Sequence, residues 1–514
     1  MAERADGECR DSRRRFLRRA FVAIGSLQGF CACGGGTDAA VASAAELSSD
    51  SLPTALASPS NADVPVLPPG PAPLAAQAPP PGVVAPKPAG PLPAPVALKG
   101  PLPSWVPSPG SVTVMTQTNG LLTNSFRSTV APYYSDYYSA ETVNAYSGSV
   151  VNPYHGTYGV IVFEGGGHAG SNDNSVHVLD LQADGASFRR VTSPTPLFGS
   201  GTDADTRYAN SYGGDVMPLT DFTWTEYTVD GQPTSRHSYG AQDVIGPEHG
   251  GAVHGTLMRV LTGAGAAHGM ANGEVPHKVD FNTTAGLLKW ERAGSRPGVS
   301  GLPSANPAVS FHLGGPNWTA HVAHQSRIYI ECNGQGGTMA PRWFDLGTRT
   351  YVMGTGLARA NNPDLADGGI MFHVEWRRML VHADAKGGNL RLRYMNVDVD
   401  QPSWVETPRD LSRSIPVAGT WSAACWCPDN GRIIVGNVQG DDAAVYEIEI
   451  PSDVDQVWNV TRVPLPAGQR IRWAPSTTYK KWSYNPYVRA IVYMPYAARA
   501  SGDDEVYVYR PRGT

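Results

Sequence analysis

The sequence predicts an all-β fold, a β-propeller of six blades spanning residues 105–514. Two observations carry this. From residue 105 onward, short β-type runs separated by Gly, Asn, Asp and Pro turns recur as a three-part unit: an apolar strand, an alternating strand, and a third strand opened by an aromatic residue. The marker aromatics Phe188, Trp290, Tyr351, Trp404 and Trp458 lie 102, 61, 53 and 54 residues apart, and the last three intervals fit one blade each.

Ahead of the repeats stand two segments with no packed core. Residues 12–18 read SRRRFLR and are followed by an apolar stretch of only eleven residues, Ala20 to Phe30. That is too short to span a bilayer and suits a signal h-region. The segment resembles a twin-arginine export signal, and FCACGGG over residues 30–36 resembles a lipoprotein processing site with Cys33 as the acylated residue. Residues 1–36 are therefore expected to be a targeting signal. Residues 37–104 follow as a Pro/Ala-rich spacer, with 17 of the 44 prolines between residues 51 and 103. Such a segment is expected to be extended, giving reach from a membrane surface and no chemistry.

The units begin at Tyr158–Glu164, Leu257–Thr262, Arg327–Glu331, Arg378–His382, Arg432–Gly436 and Arg489–Met494. The sixth stops without its aromatic strand. Trp105 and Val106, just after the spacer, are expected to supply it and so close the ring, which removes an open sheet edge. Residues 193–235 give seven blades as the alternative; with no clear strand pair, they read as a long loop on the binding face.

Composition narrows the function. Charged residues make up 17% of the chain and apolar residues 41%, with no apolar run near the length of a spanning helix, so a multi-pass membrane protein is excluded. Residues 1–36 carry seven Arg against four acids and residues 37–104 four acids against two Lys; the whole-chain charge of −5 then leaves −6 on the repeats. With no basic blocks, nucleic-acid binding is not expected. Of six cysteines, only Cys332, Cys425 and Cys427 fall within the repeats, an odd number that gives no disulfide framework. Cys425 and Cys427 flank Trp426 in a strand-like run, where alternation places both thiols on one face as buried, inert groups.

Chemistry concentrates in the loops. All thirteen histidines lie between His155 and His382, many beside Gly-rich turns. FEGGGH ends at His168, and DGQPTSRHSY over residues 230–239 feeds a strand in which Arg236 and Ser238 share one face and His237 and Tyr239 the other. Together with NSVHVLDL at 174–181, these motifs resemble a family of secreted kelch-like propellers that includes the propeller ulvan lyases. The likeness covers residues 145–295 as motif and the rest as repeat. It departs at His168-Ala169-Gly170-Ser171, where that family carries a tyrosine after the histidine.

The resemblance implies a uronate polysaccharide lyase, and the residue types fit that chemistry. Such an enzyme offsets the substrate carboxylate charge, removes the neighbouring C–H proton and protonates the leaving oxygen. Arg236 would pair with the carboxylate, His168 or His237 would be the base and Tyr239 the acid. Trp318 and His321, opening the third blade, are the candidate substrate-binding residues. The alternative is a non-catalytic propeller that binds polysaccharide, a cell-surface glycan or protein. Tyr154-His155 followed by Gly165–Gly167 is similar to copper-radical galactose oxidases, but no cysteine between residues 34 and 331 can crosslink a radical tyrosine. The sequence calls for no cofactor, and no helical His pair or compact Cys/His set marks a metal site. The expected location is periplasmic or cell-surface, through a lipid anchor, or secreted.

Overall fold

The computed structural model describes residues 100–119, 148–164, 174–182, 185–192, 232–233, 238, 240–260, 276–282, 288–294, 317–332, 342–353, 370–386, 389–399, 402, 404–406, 415–416, 423–438, 441–473, 478–494 and 505–514. They form a six-bladed β-propeller. Blade 1 comprises β2 (Ser149–Asn152), β3 (Val160–Glu164), β4 (Val176–Gln182) and β5 (Gly185–Arg190). Blade 2 comprises β6 (Gln242–Ile245), β7 (Thr256–Arg259), β8 (His277–Asp280) and β9 (Trp290–Arg292). Blade 3 comprises β10 (Asn317–Val322), β11 (Arg327–Cys332), β12 (Arg342–Asp345) and β13 (Thr350–Met353). Blade 4 comprises β14 (Ile370–Val374), β15 (Met379–Lys386), β16 (Asn389–Asn396) and β17 (Val405–Glu406). Blade 5 comprises β18 (Ala423–Cys427), β19 (Arg432–Gly436), β20 (Ala444–Glu449) and β21 (Asn459–Pro464). Blade 6 comprises β22 (Ser483–Asn485), β23 (Ala490–Tyr493), β24 (Glu505–Arg510) and, from the other end of the chain, β1 (Ser111–Asn119).

Two features close the ring. The first strands of successive blades approach one another in the order β2, β6, β10, β14, β18, β22 and back to β2, so they surround a common axis. Six apolar clusters then fill the six interfaces between consecutive blades; Met115, Phe163, Leu179, Val492 and Val506 share the one that joins blade 6 to blade 1. Each blade is apolar on both faces because each is sandwiched between neighbours. The run at β18 shows the alternation: Cys425 and Cys427 pack between blades 5 and 6, while Trp426 packs between blades 4 and 5. Both thiols are buried, and burial pushes that of Cys427 up to about 12 and that of Cys425 well above its ordinary value.

Closure is by the N-terminal side of the domain, but the closing strand is Ser111–Asn119 rather than the Trp105–Val106 segment. Residues 111–116 pair antiparallel with Arg510–Glu505, and Gln117 and Asn119 then continue in parallel register with Ala186 and Ser187 of β5. One strand thus completes blade 6 and hydrogen-bonds it to blade 1. Trp105 instead sits in a turn, its ring edge-on to Tyr158 with 5.6 Å between centroids. A β-strand in this position needs period-2 alternation, which SVTVMTQTN has and the proline-flanked PSWVP does not.

Every blade turns from its first strand into its second through a left-handed residue placed immediately before the second strand. These are Gly159, Gly255, Ser326, Arg378, Gly431 and Arg489, with φ of 81°, 85°, 52°, 53°, 66° and 49°. Such a φ needs no compensation at glycine and costs about 1–2 kcal/mol at Ser or Arg. Residues 100–110 enter at this end of the ring, where the Gly110 amide donates to Arg510 O at 2.7 Å. We call it the linker end, and the opposite one, reached by the C-terminal ends of the second strands, the far end.

Candidate functional site

The first strands bring polar side chains to the axis. In β10, Trp318, Ala320 and Val322 pack into the cluster shared with blade 4, which leaves Thr319 and His321 on the side of blade 2 and the axis. Across from them, Lys480 precedes β22 of blade 6. Its ammonium spans the axis and donates to Gln242 O at 2.9 Å, Asp243 Oδ1 at 3.2 Å and Thr319 Oγ1 at 3.3 Å. Its own carbonyl accepts from Ser149 Oγ of blade 1 at 3.4 Å. Four blades therefore meet at one buried ion pair. Burial lowers the proton affinity of Lys480 and Asp243 opposes this, while burial alone brings the neighbouring Lys481 down to about 7. The second carboxylate oxygen of Asp243 is buried with no hydrogen-bond partner.

The far end holds most of the buried charge among the described residues. Arg259, Arg342, Arg391, Arg393 and Lys481 are buried there together with Glu164 and Asp384, while the Lys480–Asp243 pair lies farther along the axis, level with Thr319. Arg259, at the end of β7, pairs with Glu164, at the end of β3, across the interface of blades 1 and 2. Burial pushes its guanidinium down to about 9, still charged at neutral pH. In blade 4, Arg391 grips Asp384 through two bonds of 2.7 and 2.6 Å, and Arg393 adds a third of 3.1 Å while meeting His382 Nδ1 at 2.6 Å. Among the described residues at this end the buried cations outnumber the buried carboxylates, and none of these cations is without a partner.

The linker end carries imidazoles. His321, near the C-terminal end of β10, stands edge-on to His249 at 5.6 Å between centroids, and His373 of β14 stacks on His324 at the same separation. Desolvation and repulsion between the rings hold His321 down to about 4 and His373 to about 3, against the partial support that Asp243 and Asp398 give. Tyr154, in the turn after β2, donates to Glu248, and a Cβ at Gly246 would collide with the phenol ring. His324 meets Asp398 Oδ1 at 2.7 Å. No group of three His, Cys, Asp or Glu side chains among the described residues is arranged to hold a metal ion.

Of the residues expected from sequence, His168, Arg236, His237 and Tyr239 lie outside the described residues, as does Cys33. The strand ends flanking the first four are described. Glu164 and Asn174 on one side and Ser238 and Gln242 on the other all lie at the far end, where Asn174 Nδ2 donates to Pro233 O at 2.9 Å and the Gly148 amide to Ser238 Oγ at 3.2 Å. His321 stands toward the opposite end, so it does not join that group. Trp318 is fully buried against His382 at 5.1 Å and presents no face to solvent.

No protein-family model matches the sequence, and no curated protein aligns with it. Among solved structures, the chain is similar to an auxiliary nutrient binding protein from Bacteroides ovatus, with 8% identity, a TM-score of 0.39 and 77% of this chain and 76% of that one covered. A putative 6-phosphogluconolactonase from Bacteroides uniformis aligns at 10% identity and TM-score 0.31 over 65% and 74% of the two chains. The β-propeller domain of Cps50 (Swd1) from Myceliophteria thermophila aligns at 12% identity and TM-score 0.30 over 71% and 96%. These likenesses transfer no ligand and no activity to this chain.

Lys480, Asp243, His373 and Glu248 were not legible as site residues. The only sequence signal was the pair Lys480-Lys481 directly ahead of an apolar Trp482, two cations where a strand begins.

Proposed function

We propose that the protein is an exported, surface-anchored propeller that binds acidic polysaccharide at the far end of the ring and cleaves it by β-elimination. The observation that supports this reading most directly is the concentration of buried cations among the described residues at that end, beside the described strand ends that flank residues 165–173 and 234–237. A domain of charge −6 repels a polyanion at long range, so only a local cationic field can seat one. Arg236 is the residue assigned to the uronate carboxylate, with His168 or His237 removing the C–H proton and Tyr239 protonating the leaving oxygen. The export pattern at residues 12–18 and Cys33 support a location where such polymers are met.

Arg236→Ala tests the assignment. It should cut turnover on uronate polymers by about 100-fold or more, because the carboxylate interaction matters most as charge builds up in the transition state. Arg236→Lys should rescue poorly, since an ammonium lacks the planar fork. Full activity in a well-folded Arg236→Ala variant would end this site assignment.

A further inference from the structure

We propose that the axial mouth at the linker end is a second ligand site, separate from the far end, that takes the hydroxyl groups of a neutral sugar. The starting point is a set of buried polar atoms with no hydrogen-bond partner: His321 Nε2, His373 Nδ1 and Nε2, and Asp243 Oδ2. They come from β6, β10 and β14, three consecutive first strands around the axis. Buried polar groups are ordinarily satisfied, and several orphans in one place mark a position that something else fills.

The surrounding groups narrow what that is. His321 faces Asp243, His249 and Glu248, while His373 faces His324, His321, Arg378 and Asp398. Glu375 also acts on the Tyr154 phenol from across the mouth. Carboxylates therefore outnumber the cations Lys480 and Arg378, which disfavours an anion. A metal ion would need three ligands already converging, and none do among the described residues. A neutral imidazole presents one N–H donor and one bare acceptor nitrogen, and a carboxylate oxygen accepts. A sugar hydroxyl donates and accepts at once, so it complements both. The rim grades from half-buried His321 and His373, whose unpartnered ring nitrogens are buried, to the half-exposed rings of His249 and His324, and Tyr154 adds an aromatic edge at the same mouth. Ring faces of this kind pack on the C–H side of a sugar.

Calorimetric titration of the full chain at pH 7 with a panel of neutral hexasaccharides, cellohexaose, laminarihexaose and mannohexaose, tests this. At least one should bind, and the histidine ring-proton resonances of His321 and His373 should shift on its addition. His321→Ala and His373→Ala should each weaken binding about tenfold, the loss of one good hydrogen bond. Binding by the parent should hold down to about pH 5 and fall below it, as the two imidazoles take up protons and lose their acceptor nitrogens. Absence of binding by every panel member overturns the proposal. So does binding that leaves both resonances unmoved, since that places the sugar elsewhere. Zn²⁺ moving those resonances where no sugar does would reassign the mouth to a cation.

Discussion

Replacing Lys480 by methionine keeps most of the aliphatic stem and deletes the ammonium that ties blade 6 to blades 2 and 3. The partners are well buried, with side-chain exposures of 10% for Lys480 and 12% for Asp243, so solvent cannot replace the lost charge. Removing one member of a buried ion pair costs about 3–5 kcal/mol, chiefly because the other is left uncompensated. Gln242 O and Thr319 Oγ1 also lose their donor, adding about 1 kcal/mol. Lys480→Met should therefore destabilise the domain by about 4–6 kcal/mol. The double variant Lys480→Met/Asp243→Asn removes the stranded charge and should recover at least half of that. Urea unfolding followed by tryptophan fluorescence across this set reads both. A single variant within about 1 kcal/mol of the parent would refute the axial tie.

Two further predictions concern the ring. Removing residues 1–99 should leave the unfolding midpoint unchanged, whereas removing residues 1–119 exposes the edge of β24 and takes Val112 and Met115 from two interblade clusters, at about 5 kcal/mol or more; equal midpoints in thermal melts would contradict closure by Ser111–Asn119. Gly159→Ala should cost about 1–2 kcal/mol, because its φ is 81° and a Cβ there would stand 2.9 Å from Asn485 Nδ2, while Ser326→Gly at the equivalent turn should be neutral or stabilising; a harmless Gly159→Ala in the same melts would remove the backbone argument.

The second and third strands of each blade, and the fourth strands of blades 1 to 5, were legible because their packed faces write apolar alternation and an aromatic marker into the chain; the fourth strand of blade 6 was sought at Trp105–Val106 and is Ser111–Asn119. Trp290 opens β9 and Tyr351 is the second residue of β13, near where the spacing implies, and Trp404 and Trp458 stand one residue ahead of β17 and β21. The first strands were left out of the repeated unit, although the run at Cys425–Cys427 was read as strand-like and Trp318 and His321 as opening the third blade. They are short, as in SVVN, QDVI and SYN, and one side of each meets a polar axis, so the apolar pattern breaks where the site begins. The repeated left-handed turn was hidden for a different reason: it is a backbone conformation filled by Gly, Ser or Arg, with no common letter. Lys480 is the sharpest case, since the partners of its ammonium lie 161 to 238 residues away in the chain and no local spacing announces them.

Cleavage of uronate polymer by elimination at the far end, as proposed, is tested most directly by the mass of the products. Incubating the full chain with uronate-containing polysaccharides and weighing the released oligosaccharides should give fragments one water lighter than hydrolysis would, with new absorbance in the near ultraviolet from the unsaturated ends. Fragments that carry the added water, or intact polymer for every uronate substrate tested with a folded protein, would contradict it.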